Sequence, residues 1–155
     1  MNRRELVGGA AALTGLGIAG CGRAQAPQTA SPAMLVHRDP GCGCCLAWAK
    51  QAQAAGYTVK VSDTPDIATV KRRLRVPADL AACHTVEVEG LVIEGHVPVA
   101  EIARLRSERP AGVIGLAVPG MPRGSPGMEM PDGRTDRFTV FAFRADGART
   151  VFAQG

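Results

Sequence analysis

The sequence predicts an α/β fold built as one domain, and three observations carry that expectation. Short apolar, β-rich runs alternate with helix-forming segments through the middle of the chain, and Gly, Pro and Asp punctuate the joins. At 155 residues, 46% hydrophobic and 21% charged, the chain holds enough apolar material for one core and too little for two full-size domains. Met34 to His37 is a first strand, and Asp39-Pro40-Gly41 is a turn. Cys44 to Ala55 forms a helix that closes at Gly56. Tyr57 to Ser62 alternates as a second strand; Thr64-Pro65-Asp66 opens a second helix, and Pro77 closes it after Val76. Thr85 to Val88 and Leu91 to Glu94 form a hairpin about Glu89-Gly90, followed by a helix from about Val99 to Glu108 stopped by Pro110.

That order, βαβαββα with cysteines at the first strand-to-helix junction, resembles the thioredoxin fold over residues 34–110. Residues 111–155 read as an extension of the same domain. Its Gly- and Pro-rich stretch Gly115 to Gly133 shows neither helical nor strand periodicity. Arg137 to Arg144 and Arg149 to Gln154 then flank Asp146-Gly147 as a β-hairpin that could extend the sheet at an edge.

Residues 1–20 read as an export signal. Arg3 and Arg4 precede the uncharged, Gly-rich stretch Leu6 to Gly20, which is too short and too rich in glycine for a comfortable membrane span. The paired arginines resemble a twin-arginine signal, and Ile18-Ala19-Gly20-Cys21 resembles a lipobox, which makes Cys21 a candidate lipidation site. Ala24-Gln25-Ala26 is a rival cleavage site, handicapped by Pro27. Residues 21–33 form a flexible tether, and the expected location is periplasmic or exported, with contact to a membrane only through a lipid at Cys21. Lys+Arg 18 against Asp+Glu 14 gives a formal charge of +4, scattered except for Lys71, Arg72, Arg73 and Arg75, so nucleic acid is not an expected partner.

The chemistry concentrates in Cys42-Gly43-Cys44-Cys45, at the N-terminus of the first helix, where unpaired amides and the helix dipole favour thiolates. Adjacent cysteines bridge each other poorly, which weakens a purely stapling role. Cys42 and Cys45 keep the spacing of a thiol-disulfide oxidoreductase, with Cys42 as nucleophile and Cys45 as resolving thiol, but Cys44 supplies an off-pathway partner. Three clustered thiolates suit a soft metal: Cu(I), zinc or an iron-sulfur cluster. In a thioredoxin-like arrangement Cys83 enters beside the same helix terminus, bringing His84 with it, and His96 in the turn before the last helix faces the same end of the sheet. Met121, Met128 and Met130 form a candidate accessory group, since a thioether is a soft ligand that no disulfide can consume; the competing reading is an apolar lid. His37 and Trp48 read as packing residues. No P-loop, Rossmann glycine pattern or nucleophile elbow is present to suggest a hydrolytic enzyme.

The motifs Cys42-Gly43-Cys44-Cys45 with Trp48, Cys83-His84-Thr85, Val92-Ile93-Glu94-Gly95-His96-Val97-Pro98 and Gly115-Leu116-Ala117-Val118-Pro119-Gly120-Met121-Pro122, with Gly124-Ser125-Pro126-Gly127-Met128-Glu129, are similar to those of the CopG-type periplasmic copper-resistance family. The resemblance spans about Met34 to Met130. It implies a thioredoxin-like fold in which Cys42, Cys44, Cys45 and Cys83 hold a multinuclear copper cluster, and His84 and His96 match family positions as well. It also implies copper ions as cargo, one Cu(I) or several, and other periplasmic copper-handling proteins as partners. A closed, structural zinc site is the remaining alternative.

Overall fold

In the computed structural model, which describes residues 31–155, the chain runs β1 (Ala33–Arg38), α1 (Gly43–Ala54), β2 (Thr58–Asp63), α2 (Ile67–Arg73), β3 (His84–Val88), β4 (Leu91–Glu94), α3 (Val99–Glu108), β5 (Val113–Ala117), β6 (Thr139–Arg144) and β7 (Arg149–Gln154). A 3-10 turn covers Ala78–Leu80. The expected export signal, the lipobox with Cys21 and nearly all of the tether lie outside the described residues. Among the described residues no helix is long and apolar enough to cross a membrane.

The strands form one mixed sheet in the order β2-β1-β3-β4-β5-β6-β7. β1 runs parallel to β2 and antiparallel to β3, with Val36 opposite both Val61 and Val86. β4 is antiparallel to β3 and parallel to β5, the parallel step being crossed by α3. One face carries Met34, Val36, Val86, Ile93 and Leu116 against Trp48 and Ala52 of α1 and Ile102 and Leu105 of α3. On the other, Val92, Ala117 and Phe143 pack with Leu80, Leu74 and Val76. Because both faces are covered, all four residues of β4 are buried, and its sequence reads as a continuous apolar run ending in a carboxylate.

Local chemistry explains the boundaries. The buried residues of α1, Cys45, Trp48, Ala49 and Ala52, fall at the i, i+3, i+4, i+7 spacing of one helical stripe. The helix ends where Gly56 takes φ +94°. Glu89 and Gly90 both have positive φ, as a two-residue turn between right-twisted strands requires.

Two expectations need correction. The second helix is shorter than the span from Thr64 to Val76: Asp66 caps it through the Thr69 N–H at 3.1 Å, and it stops at Arg73. Pro77 disfavours a helical Val76, and leaving the helix early turns Leu74 and Val76 into the second core cluster. The glycine-rich stretch expected to be irregular begins inside a strand, β5. A Cβ on Gly115 would lie 2.0 Å from the Val92 carbonyl oxygen and 2.7 Å from the Phe143 ring, so the glycine marks a close backbone approach within the sheet. The hairpin β6–β7 does extend that sheet at its edge, and β1 begins at Ala33, one residue before the expected start.

Candidate metal centre

β1 delivers the chain to the site, and Arg38 at its end holds the turn that follows. Its buried guanidinium donates to the carbonyls of Pro40 at 3.1 Å and Cys42 at 2.9 Å, and pairs with Asp63 at 2.8 Å. Asp39 closes the turn by accepting from the Gly41 and Cys42 N–H groups, at 2.8 and 3.0 Å. Cys42 then stands at the N-cap of α1, with Cys44 and Cys45 in its first turn.

Four sulfurs meet there. The ligand atoms of Cys42, Cys44, Cys45 and Cys83 lie within 4.8 Å of one another, although Cys83 is 38 residues or more away in sequence from the other three. The Cys44 sulfur is 3.4 Å from that of Cys42 and 4.0 Å from that of Cys83. Cys42 and Cys45 are joined as a disulfide, while Cys44 and Cys83 are free. The bridge thus uses the C-x-x-C pair that the spacing singles out and leaves the adjacent pair Cys44-Cys45 unlinked.

Cys83 also belongs to a second group. Its sulfur lies 3.3 Å from His84 Nδ1 and 3.1 Å from His96 Nε2, and these three ligand atoms likewise fall within 4.8 Å of one another. His96 Nδ1 donates to the Pro126 carbonyl at 2.8 Å, which turns the Nε2 lone pair towards Cys83. His84 is buried between Trp48 and His96, each ring centre 5.0 Å from its own, and its Nε2 has no hydrogen-bond partner among the described residues. Burial, reinforced by His96 and Lys71, pushes the His84 imidazole down to about 3. Burial also lowers His96, so both rings are neutral and available as donors near neutral pH. Burial, with the neighbouring Cys44 sulfur, pushes the Cys83 thiol up to about 12.

The loop carrying the methionines rides against α1. Gly127, at φ +82°, comes so close that a Cβ would be 2.7 Å from Trp48 N and 3.0 Å from the Cys44 carbonyl oxygen. Glu129 fastens the loop by accepting from Gln51 Nε2 at 2.6 Å and from the Gly127 N–H at 2.9 Å. Met128 and Met130 are half-buried in this loop, whereas Met121 is 55% exposed.

The structure therefore brings together Cys42, Cys44, Cys45, Cys83, His84 and His96. His37 points elsewhere and bonds Glu87 at 2.9 Å, and Trp48 fills the core with its indole N–H on the Val97 carbonyl at 2.9 Å. Sequence reasoning gave no role to Arg38, nor to Glu94 and Thr85, which it quoted only inside the family-like motifs, and counted Lys71 only within a basic cluster. Glu94 alone left a signal, as a carboxylate ending an otherwise apolar strand.

A pH dependence follows from His84. Its pKa is about 3 in the folded chain against an ordinary value of 6.5, so between these limits the unfolded chain binds the proton and the folded chain does not. Stability present above pH 6.5 should decline as pH falls towards 3, by about 2 kcal/mol at pH 5 from this group. Urea titrations of metal-free protein at pH 7.5 and pH 5 check this, and His84→Gln should flatten the difference. Equal pH dependence in the two proteins would dismiss His84 as its source.

A family model described as a protein of unknown function, DUF411, matches residues 80–128, the segment that carries Cys83, His84 and His96. No curated protein matches. Two solved structures do. One, titled Copper resistance protein copG, Form 1, is 46% identical, covers 79% of this chain and 96% of its own, and superposes with a TM-score of 0.75. The other, Form 2 under the same title, is 44% identical, covers 81% of this chain and 98% of its own, with a TM-score of 0.76.

Proposed function

The chain belongs to the CopG copper-resistance family, and from that premise we propose that it is an exported copper-binding protein that holds Cu(I) on thiolates in copper resistance. The observation that carries this reading is the meeting of four cysteine sulfurs within 4.8 Å, joined through Cys83 to two neutral imidazoles. Thiolates are soft donors that select Cu(I), and closely packed ones bridge more than one ion; imidazole accepts either copper oxidation state. Cys42, Cys44, Cys45 and Cys83 would hold the metal, with His84 and His96 on the far side of Cys83. A disulfide sulfur is not a thiolate, so all four are offered only once an external dithiol has reduced Cys42–Cys45 by exchange, leaving as a disulfide itself. Bound copper supplies one-electron redox chemistry; the chain's own contribution is to fix Nε2 of His96 through Pro126 and to cover α1 with the methionine loop.

The finer fold assignment is thioredoxin-like, supported by the order βαβαββα and by strands β2-β1-β3-β4 with β3 antiparallel to β1 and β4. Residues 34–110 would be the metal-binding body and 111–155 its extension. The sequence of residues 1–20 supports export, followed by a tether and a lipid at Cys21, and hence a periplasmic setting with other copper-handling proteins as partners.

Anaerobic titration of reduced protein with Cu(I) against a competing chelator tests the proposal, with free thiols counted at each step. A ratio above one ion per chain with loss of free thiols is expected; no competitive binding would end this reading.

The Cys42–Cys45 disulfide favours one other reading, a thiol-disulfide oxidoreductase. Cys44→Ser separates the two. A metal site should lose stoichiometry and at least about tenfold in affinity, whereas an oxidoreductase should keep or gain turnover once its off-pathway thiol is gone. Insulin reduction and Cu(I) competition on the same variant read both.

A further inference from the structure

Strand β4 ends in a fully buried carboxylate that no metal-binding role uses. Glu94 closes β4 with its side chain 0% exposed. Three groups converge on it. Oε1 accepts from the backbone N–H of Ala82 at 2.6 Å and pairs with the Lys71 ammonium, itself only 12% exposed; Oε2 accepts from the Thr85 hydroxyl at 2.7 Å. Lys71 also donates to the Thr85 hydroxyl at 2.9 Å, closing the network. Burial raises the Glu94 carboxyl, while Lys71, Thr85 and Ala82 oppose that shift.

The Ala82 contact matters most. Residues 81–83 leave the 3-10 turn and enter β3 without strand partners among the described residues, apart from a bridge between Ala82 and Gly120. The Cys83 backbone is therefore held on one side by its neighbour's N–H on Glu94. On the other, His84 is paired through its carbonyl with the Gly95 N–H at 2.9 Å. The same residue that grips Cys83's chain from β4 thus stands two positions before His96. One carboxylate ties together the approach of Cys83, His84 and His96, which come from different strands and turns.

We propose that Glu94, charge-balanced by Lys71, is a positioning residue for the metal centre: by accepting the Ala82 N–H it sets the reach of Cys83 between the other thiols and the two imidazoles. This rests on the metal-binding reading above. Outer partners of this kind are worth roughly 10- to 100-fold in metal affinity. A buried ion pair contributes little net stability against a well-packed apolar pair, so removing both charges together leaves a foldable chain, while removing one strands the other.

Two paired variants of the full chain separate positioning from simple packing. Glu94→Leu with Lys71→Met keeps volume but abolishes the acceptor, whereas Glu94→Gln with Lys71→Met keeps a carbonyl oxygen for Ala82 without charge. The probes are Cu(I) competition and the ultraviolet thiolate charge-transfer band of Cd(II), both on reduced protein. The Leu/Met pair should lose about 10- to 100-fold in affinity, together with the Cys83 share of the Cd(II) band, and still unfold cooperatively. The Gln/Met pair should recover most of both. A Leu/Met pair that binds like the parent, or a Gln/Met pair that loses as much as it, overturns the positioning role. Should the Leu/Met pair fail to fold, the Gln/Met pair decides alone: a retained Cd(II) band supports the acceptor role, and a lost one overturns it. If the parent protein binds neither metal, the metal reading falls and this inference falls with it.

Discussion

Cys83→Ser is expected to abolish tight Cu(I) binding while leaving the fold standing. Cys83 is the one residue common to both ligand groups: its sulfur is 4.0 Å from Cys44, 3.3 Å from His84 and 3.1 Å from His96. Losing Cys42 or Cys45 removes one thiolate from one group; losing Cys83 separates the thiols from the imidazoles altogether. Serine is nearly isosteric, and its hydroxyl can still meet the His96 lone pair, so cooperative unfolding should persist. The affinity loss should exceed the roughly 10- to 100-fold typical of an outer partner, because a direct donor is gone and a hydroxyl is a poor match for a soft ion. Anaerobic Cu(I) competition beside a thermal melt measures both quantities. Parent-like affinity with one thiol fewer would show that Cys83 is not a ligand.

Gly95→Ala should damage the fold itself, and the centre through it. Gly95 sits at φ +73°, and a Cβ there would be 2.5 Å from the Ala82 Cβ and 2.6 Å from the Val118 carbonyl oxygen. A left-handed alanine costs about 1 kcal/mol or more, and relieving two such contacts in a packed region costs roughly 1–3 kcal/mol further. Against a total stability of about 5–15 kcal/mol, a loss of about 2–4 kcal/mol is large. Gly95 separates Glu94 from His96, and its displaced neighbour Ala82 precedes Cys83, so metal affinity should fall with stability. Urea unfolding checks the first effect. Ala82→Gly in the same chain should restore only part of the loss, since the clash with Val118 is backbone and stays. A fully stable Gly95→Ala protein would contradict the packing described at this corner.

Much of the architecture was legible because it is local. The helical stripe of α1, the Glu89-Gly90 turn, the span of β4 and the whole of α3 follow from spacing and turn residues within a few positions of each other. The missed strand β5 was not local in this sense. Gly115 lowers the β character of its own segment, and the reason it is glycine, the Val92 carbonyl and the Phe143 ring, comes from 23 and 28 residues away. The early end of α2 has the same origin: Leu74 and Val76 answer to the second core cluster rather than to helix periodicity.

The candidate site divides along the same line. Cys42, Cys44 and Cys45 announce themselves because three sulfurs in four residues at a helix start have few structural uses; the expected strand and turn order placed Cys83, His84 and His96 at the same end of the sheet, and the motif resemblance supported them. The sequence by itself thus determined the candidate donor residues, the order of the elements other than β5, and the family. Only the tertiary structure decided which sulfurs are bridged, which ring nitrogen faces Cys83, and that Glu94 and Lys71 stand behind it. Those outcomes depend on distances between β1, β3, β4 and the loop after β5, and such distances are set by sheet register and by backbone approach at glycines. Neither leaves a trace in the spacing of a single stretch of chain.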